Sequence, residues 1–197
     1  MAALSHRELT RGDAPAGEDE LVRRVVAGER AAFEDIYRRY ADRVFALLTR
    51  LVGPDRERED LLQEVFIRLH PALSRFRGDC ALATLIFQIT TRVAIDRLRH
   101  LHRSRTDLVD FDLEDELDPA ASPAETTQRR EELTHALEVL GKLGPKLRVA
   151  FVLREVMGLS HEEVAQLTET NAAAARMRVA LAKRAVAKLA AKHVRQS

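Results

Sequence analysis

Apolar residues recur at every third or fourth position along most of this chain, and that spacing commits it to amphipathic helices packed on one another. Phe33, Ile36, Tyr37, Tyr40, Val44, Phe45 and Leu48 form one such stripe. Gly28 separates a short first helix from the long helix that carries the stripe, and Gly53 with Pro54 marks the next break. "REDLLQEVFIRLH" predicts a third helix. Leu62, Val65, Phe66 and Leu69 form its apolar side, and Asp60, Gln63, Glu64 and Ile67 fall on a neighbouring stripe. Pro71 is expected to end or kink it. "SRFRGDC" reads as a loop pivoting on Gly78. A long helix over 81–103 follows, apolar at first and ending in "DRLRHLHRSR". Leu, Ala and Arg dominate, aromatic residues make up 5% and Trp is absent, which favours helix over sheet.

Charge divides the chain. Asp107 to Asp118 holds seven acids and no base, whereas Asn171 to Ser197 holds seven Lys or Arg and no acid. Residues 104–121 read as an acidic linker. Beyond it, Ser122, Pro123 and Glu125 form a helix start of the capping-box type, and Leu133, Leu137 and Leu140 give that helix its buried side. "GKLGP" breaks it, and a helix over 146–157 runs up to Gly158. Ser160 with Glu163 forms a second capping box, and Asn171 caps a final helix that opens on four alanines. The expected fold is all-α: two helical domains, 19–103 and 122–195, joined by the acidic linker 104–121 and preceded by a flexible tail, 1–18. The second contains a helix-turn-helix over 160–183.

Several function classes drop out. One cysteine, Cys80, excludes an internal disulfide and a cysteine-cluster zinc site. "HEEVA" begins like the zinc motif H-E-x-x-H but carries Ala165 at its last position. No phosphate-binding glycine loop, catalytic constellation, metal site or cofactor site is expected. No apolar run approaches the roughly 20 residues of a membrane span, so the expectation is a cytoplasmic protein without membrane insertion.

A capped short helix, a turn of about four residues and a second capped basic helix make a helix-turn-helix candidate for DNA binding. In a helix-turn-helix the second helix enters the major groove amino end first. Ala172 and Ala173 would let its backbone approach closely, and Asn171 with the first free amides would meet a phosphate. Arg176 and Arg178 would reach guanine edges or phosphates, with Lys183, Arg184 and Lys188 along the backbone. The same alanines also suit a close helix–helix contact, and basic residues near a helix carboxyl end favour its dipole.

"REDLLQEVFIRLH" followed by "FRGDCALATLIFQITTRVAIDRLR" resembles the core-binding and promoter-melting region of bacterial sigma factors. "LGPKLRVAFVLREVMGLSHEEVAQL" followed by "NAAAARMRVALAKR" resembles their carboxyl-terminal helix-turn-helix region. With these two regions and a short linker, the chain is most similar to the extracytoplasmic-function (ECF) group, over about residues 19–191. The D-x-x-Q-E-x-F string of Asp60, Gln63, Glu64 and Phe66 carries the likeness, as does "GLSHEEVA". The resemblance implies no catalysis. It implies binding of core RNA polymerase, through a coiled coil on the largest subunit, by Asp60, Gln63 and Glu64. It implies engagement of the minus-10 element by the loop holding Arg75, Arg77 and Asp79, and by Arg92, Arg97 and Arg99. There a base leaves the stack and enters a protein pocket. The minus-35 element would fall to Asn171, Ala172, Ala173, Arg176, Arg178 and Lys183, and an anti-sigma factor would cover both domains. The acidic linker would run through polymerase's positively lined channel or serve as a soluble tether.

Departures from the family pattern concentrate at few positions. Leu85 replaces a usual tryptophan, Arg92 a common asparagine, and Glu169 the turn glycine. Ala173, Ala174 and Ala175 replace Gly-Thr-Val, Met177 a serine and Leu181 an arginine. Affinity for the minus-35 element is therefore expected to rest mainly on phosphates. A sigma-like adaptor that binds polymerase or a partner without initiating stays open as the alternative.

Overall fold

A computed structural model describes residues 17–53, 57–103 and 136–194. The linker, the Ser122–Glu125 helix start, Leu133, Pro54 and the tail before Gly17 lie outside the described residues. All regular structure among the described residues is helical.

Helix α1 (Glu18–Val26) carries Glu18, Asp19 and Glu20 in its first turn and Arg23 and Arg24 in its last, the order its dipole favours. Gly28, at φ +90°, turns the chain into α2 (Arg30–Val52). The buried residues of α2 are Ala32, Ile36, Tyr40, Val44, Leu47, Leu48, Leu51 and Val52. This stripe keeps Ile36, Tyr40, Val44 and Leu48 of the sequence pattern, whereas Phe33 and Phe45 are half-buried and Tyr37, on the edge of the stripe beside Phe66, is exposed. Tyr40 is buried, and its hydroxyl donates to the buried carboxylate of Glu18, which pins the start of α1 to the middle of α2. Burial, then the bond to Glu18 and that group's charge, push the phenol well above its ordinary range, so it stays a donor.

Helix α3 (Arg58–Leu73) packs Leu61, Val65, Phe66, Leu69 and Leu73 inward. It runs two residues past Pro71. Proline removes one bond, to the carbonyl of Ile67. Ile67 lies on the open side of the helix, 71% exposed, where water can satisfy that oxygen. Helix α4 (Leu82–Arg103) is the central one, with Leu82, Ile86, Phe87, Ile89, Val93, Ala94 and Leu98 buried. Helices α2, α3 and α4 pack pairwise, and α1 lies across α2.

In the second unit, residues 136–141 are helical (α5), and Pro145 opens α6 (Pro145–Phe151) from its first position. The helix expected over 146–157 does not stay α-helical. Residues Val152–Val156 form a π-turn, and the Met157 amide reaches back to the Val152 carbonyl at 3.0 Å. The wider turn sets Met157 nearly beneath Val152, so that Val152, Leu153 and Met157 all bury while Val156 faces solvent. Gly158, at φ +74°, ends the segment. Helices α7 (His161–Leu167) and α8 (Ala172–Val194) follow.

The two units share one hydrophobic core, which runs from Leu21 through Phe87 to Val179. Helix α4 packs on α6 and α7, and α2 meets the π-turn. Gly53, at φ +81°, sits at this junction, where a Cβ would come within 3.1 Å of Leu137 and 3.3 Å of Arg148. Arg148, only 5% exposed, crosses from the second unit to the first. Its Nε donates to the Leu51 carbonyl at 3.1 Å and its Nη2 to the Val52 carbonyl at 2.7 Å.

Candidate nucleic-acid and partner interfaces

The open side of α3 is a ridge. With Leu61, Val65, Phe66 and Leu69 directed inward, helical geometry turns Asp60, Gln63 and Ile67 to solvent and leaves Glu64 half-exposed. Charges continue from it in alternating sign. Arg68 donates to Glu64 at 2.6 Å and to Asp96 of α4 at 3.1 Å, and Asp96 also accepts from Arg99 at 3.0 Å. The ridge therefore offers two acids, an amide and one bare isoleucine on a rigid helix. Arg68, which orients Glu64, was not singled out in the sequence; its spacing of four residues from Glu64 was the available signal.

Where α3 hands over to α4, a groove of about 460 Å³ opens. Arg75, Arg77 and Asp79 line it, all exposed, together with Phe76, Cys80 and Leu85. Cations at the rim and an apolar floor suit a flat, partly apolar anion such as a nucleotide. Burial, then the nearby Asp79 carboxylate, push the Cys80 thiol above its ordinary range. The thiolate is the reactive form, so Cys80 is expected to react with iodoacetamide more slowly than free cysteine at neutral pH, as mass spectrometry would show. Labelling as fast as free cysteine would contradict that environment.

The three arginines of α4 are in different situations. Arg92 and Arg99 are exposed on one face, whereas the Arg97 side chain is 13% exposed and paired with Glu57 at 2.6 Å. Arg92 is turned toward the second unit. Its Nε donates to the Glu169 carboxylate at 2.6 Å, and its Nη2 bonds the other oxygen. One turn earlier, Gln88 donates to the Gln166 carbonyl at 3.0 Å.

The helix-turn-helix is built as the capping residues require. The Glu163 amide donates to Ser160 Oγ at 3.2 Å, and the Ser160 amide to the Glu163 carboxylate at 2.6 Å. The Thr170 amide closes α7 by donating to the Ala165 carbonyl at 2.9 Å, with Glu169 at φ +50°. The left-handed turn is thus kept without its glycine, at a cost of about 1–2 kcal/mol. Asn171 Oδ1 accepts from the Ala174 amide at 2.8 Å and so caps α8. The alanine run divides its roles: Ala175 is fully buried against the core, while Ala173 is exposed on the first turn. Arg176 is exposed, 3.7 Å from Glu162, and Lys183 pairs with Glu155 at 2.8 Å. Arg178, two positions from Arg176 and so on another side of the helix, is half-buried. Met177 and, one turn on, Leu181 are exposed at 62% and 44%.

Family profiles match both units: "Sigma-70 region 2" over residues 36–104 and "Sigma-70, region 4" over residues 135–186. The chain is 32% identical over 179 residues to the RNA polymerase sigma-H factor of Pseudomonas aeruginosa, covering 87% of this chain and 92% of that one. The ECF RNA polymerase sigma-E factor of Escherichia coli K12 is 33% identical over 174 residues, 84% of this chain and 90% of that one. This chain belongs to the ECF sigma factors. Sigma factors are non-catalytic subunits that bind core RNA polymerase, so the chemistry of this one is recognition. In fold, the sigma factor is similar to CnrH in its complex with the cytosolic domain of CnrY. The TM-score is 0.58 at 21% identity, over 88% of this chain and 96% of that one. It is also similar to RpoE bound to the anti-sigma factor NepR from Bartonella quintana, with a TM-score of 0.56 at 18% identity, over 80% and 95%. Among the described residues of the sigma factor, no group of His, Cys, Asp and Glu could hold a metal ion, and no helix is long and apolar enough to cross a membrane.

Proposed function

We propose that this sigma factor grips core polymerase with Asp60, Gln63 and Glu64, engages the minus-10 element with the groove and face of α3 and α4, and sets α8 on the minus-35 element. The observation that carries this reading is the α3 ridge. Polar side chains and a bare isoleucine stand on a helix whose other side is wholly committed to the core. Arg75, Arg77 and Asp79 surround a groove able to take an unstacked base, at a cost of a few kcal/mol that contacts in the groove offset. Arg92 and Arg99 are the exposed phosphate contacts of α4. Arg97 reaches a strand only by leaving Glu57.

In the second unit, Asn171, Ala172 and Ala173 form the close-approach turn. The amides of Ala172 and Ala173 have no intrahelical carbonyl to meet and suit a phosphate. Arg176 leads, Lys183 tracks the backbone, and half-buried Arg178 contributes after a change of rotamer. Arg176→Ala is expected to weaken promoter binding. A loss of about 1–3 kcal/mol confined to one base pair identifies base reading, and a uniform loss with a shallower salt dependence identifies phosphate contact. Unchanged promoter affinity would remove Arg176 from the interface.

The units are taken as 19–103 and 122–195 with 104–121 as tether, and Glu18, buried at the start of α1, joins the first unit rather than the tail. An anti-sigma factor spanning both units is proposed on the fold likeness to CnrH and RpoE, whose solved complexes hold a bound partner. In vitro transcription with purified core polymerase tests the whole: promoter-specific transcripts are expected. Polymerase binding without initiation would instead establish the adaptor.

A further inference from the structure

Two departures from the family pattern, Arg92 for asparagine and Glu169 for the turn glycine, lie 77 residues apart in sequence and meet in space. The contact is two-pronged, Nε to one carboxylate oxygen and Nη2 to the other, the fork geometry in which arginine holds a carboxylate best. Glu169 makes it from a left-handed backbone conformation that glycine would adopt without strain, so a strained residue stands where only its side chain gives a return. Gln88, one turn along α4, holds the neighbouring Gln166 carbonyl. The turn of the helix-turn-helix is thereby tied to the arginine-bearing face of α4.

We propose that Arg92 and Glu169 form a latch that holds the two units closed in the free protein, and that a nucleic-acid strand opens it by taking Arg92 for its own phosphate. The closed state then masks a cation of the minus-10 surface. It also fixes the helix-turn-helix against α4, so neither unit is free to adopt its spacing on a promoter. DNA and closure compete for one guanidinium, and each therefore weakens the other by the same factor. The DNA half of the proposal rests on the reading of Arg92 as a phosphate contact. The latch half rests on the geometry alone.

The test uses the full chain with Cys80→Ser, labelled at cysteines placed at exposed Ser74 and Lys188, and reads the open-to-closed ratio by single-molecule energy transfer. Glu169→Gly keeps the turn and deletes the carboxylate. It should raise the ratio about five-fold, the upper range for a half-exposed ion pair. The same variant should bind a mixed-sequence single-stranded oligonucleotide about two- to five-fold more tightly at low salt. Arg92→Glu should also open the protein, and combining it with Glu169→Arg should close it again, a rescue that loss of packing would not produce. An unchanged ratio in Glu169→Gly, or no rescue in the exchanged pair, overturns the latch. Opening without tighter oligonucleotide binding overturns the competition. Arg92→Ala in the Glu169→Gly background then reads the phosphate contact by itself: affinity should fall, with a salt slope lower by about one.

Discussion

Arg148→Met is expected to undock the second unit from the first, lowering the stability of the docked arrangement by about 2–4 kcal/mol. The argument starts at the end of α2. Its last carbonyls have no intrahelical donor, and they carry the negative end of the helix dipole. Leu51 and Val52 present two of them to a buried place, and Arg148 supplies a charged donor to each, at 3.1 and 2.7 Å. Hydrogen bonds from a charged group contribute about 1.5–3 kcal/mol each, and water entering a loosened junction recovers part of that. Methionine keeps most of the apolar stem, so the fold of α6 should survive while the crossing is lost. In chemical unfolding, the variant should show a transition for undocking ahead of the rest, and the same labelled pair should report a mostly open molecule. Wild-type stability and a closed molecule would show that the shared apolar core holds the units by itself. This variant leaves Arg92 and Glu169 intact, so it separates the buried attachment from the surface latch.

Much of the helical plan was legible in the sequence because it rests on local rules. The α2 stripe, the Gly28 turn, the Ser160 capping box and the Asn171 cap each follow from spacing or from one side chain meeting an amide three residues on. What the sequence could not show is how the units meet. Arg148 reads as an ordinary helical arginine until a carbonyl nearly a hundred residues away is known to lie beside it. The π-turn was illegible for a similar reason: apolar residues at 152, 153 and 157 fit an α-helix well enough, and only the shared core selects the wider register. Pro71 reads as an end or a kink because proline removes a bond; the helix runs on to Leu73, and the exposure of Ile67 makes that loss inexpensive. At the interfaces, residue types were legible and their availability was not. Arg92, Arg97 and Arg99 look equivalent along α4, yet one is latched to Glu169, one is half-sunk beside Glu57 and one shares Asp96.

Reversing the ridge, Asp60→Arg with Glu64→Arg, is expected to weaken binding to core polymerase at least about 100-fold, or roughly 2.7 kcal/mol. Both positions lie outside the buried face of α3, and Glu64 pairs with Arg68 at 2.6 Å. A half-exposed pair of that kind contributes less than about 1 kcal/mol to stability, so the variant should fold and its circular dichroism should match wild type. The loss at the partner is larger because charges closed off from water lose screening, and a reversed sign turns attraction into repulsion. Ile67 serves as an internal comparison. It is 71% exposed on the same ridge, and Ile67→Ala removes apolar area without touching charge. The two changes should therefore differ in their salt response. The reversal should flatten the dependence of affinity on ionic strength, while Ile67→Ala should lower affinity by a similar factor at every salt concentration. Wild-type affinity of the double reversal at physiological ionic strength would remove α3 from the polymerase contact, whatever the helix-turn-helix does on DNA.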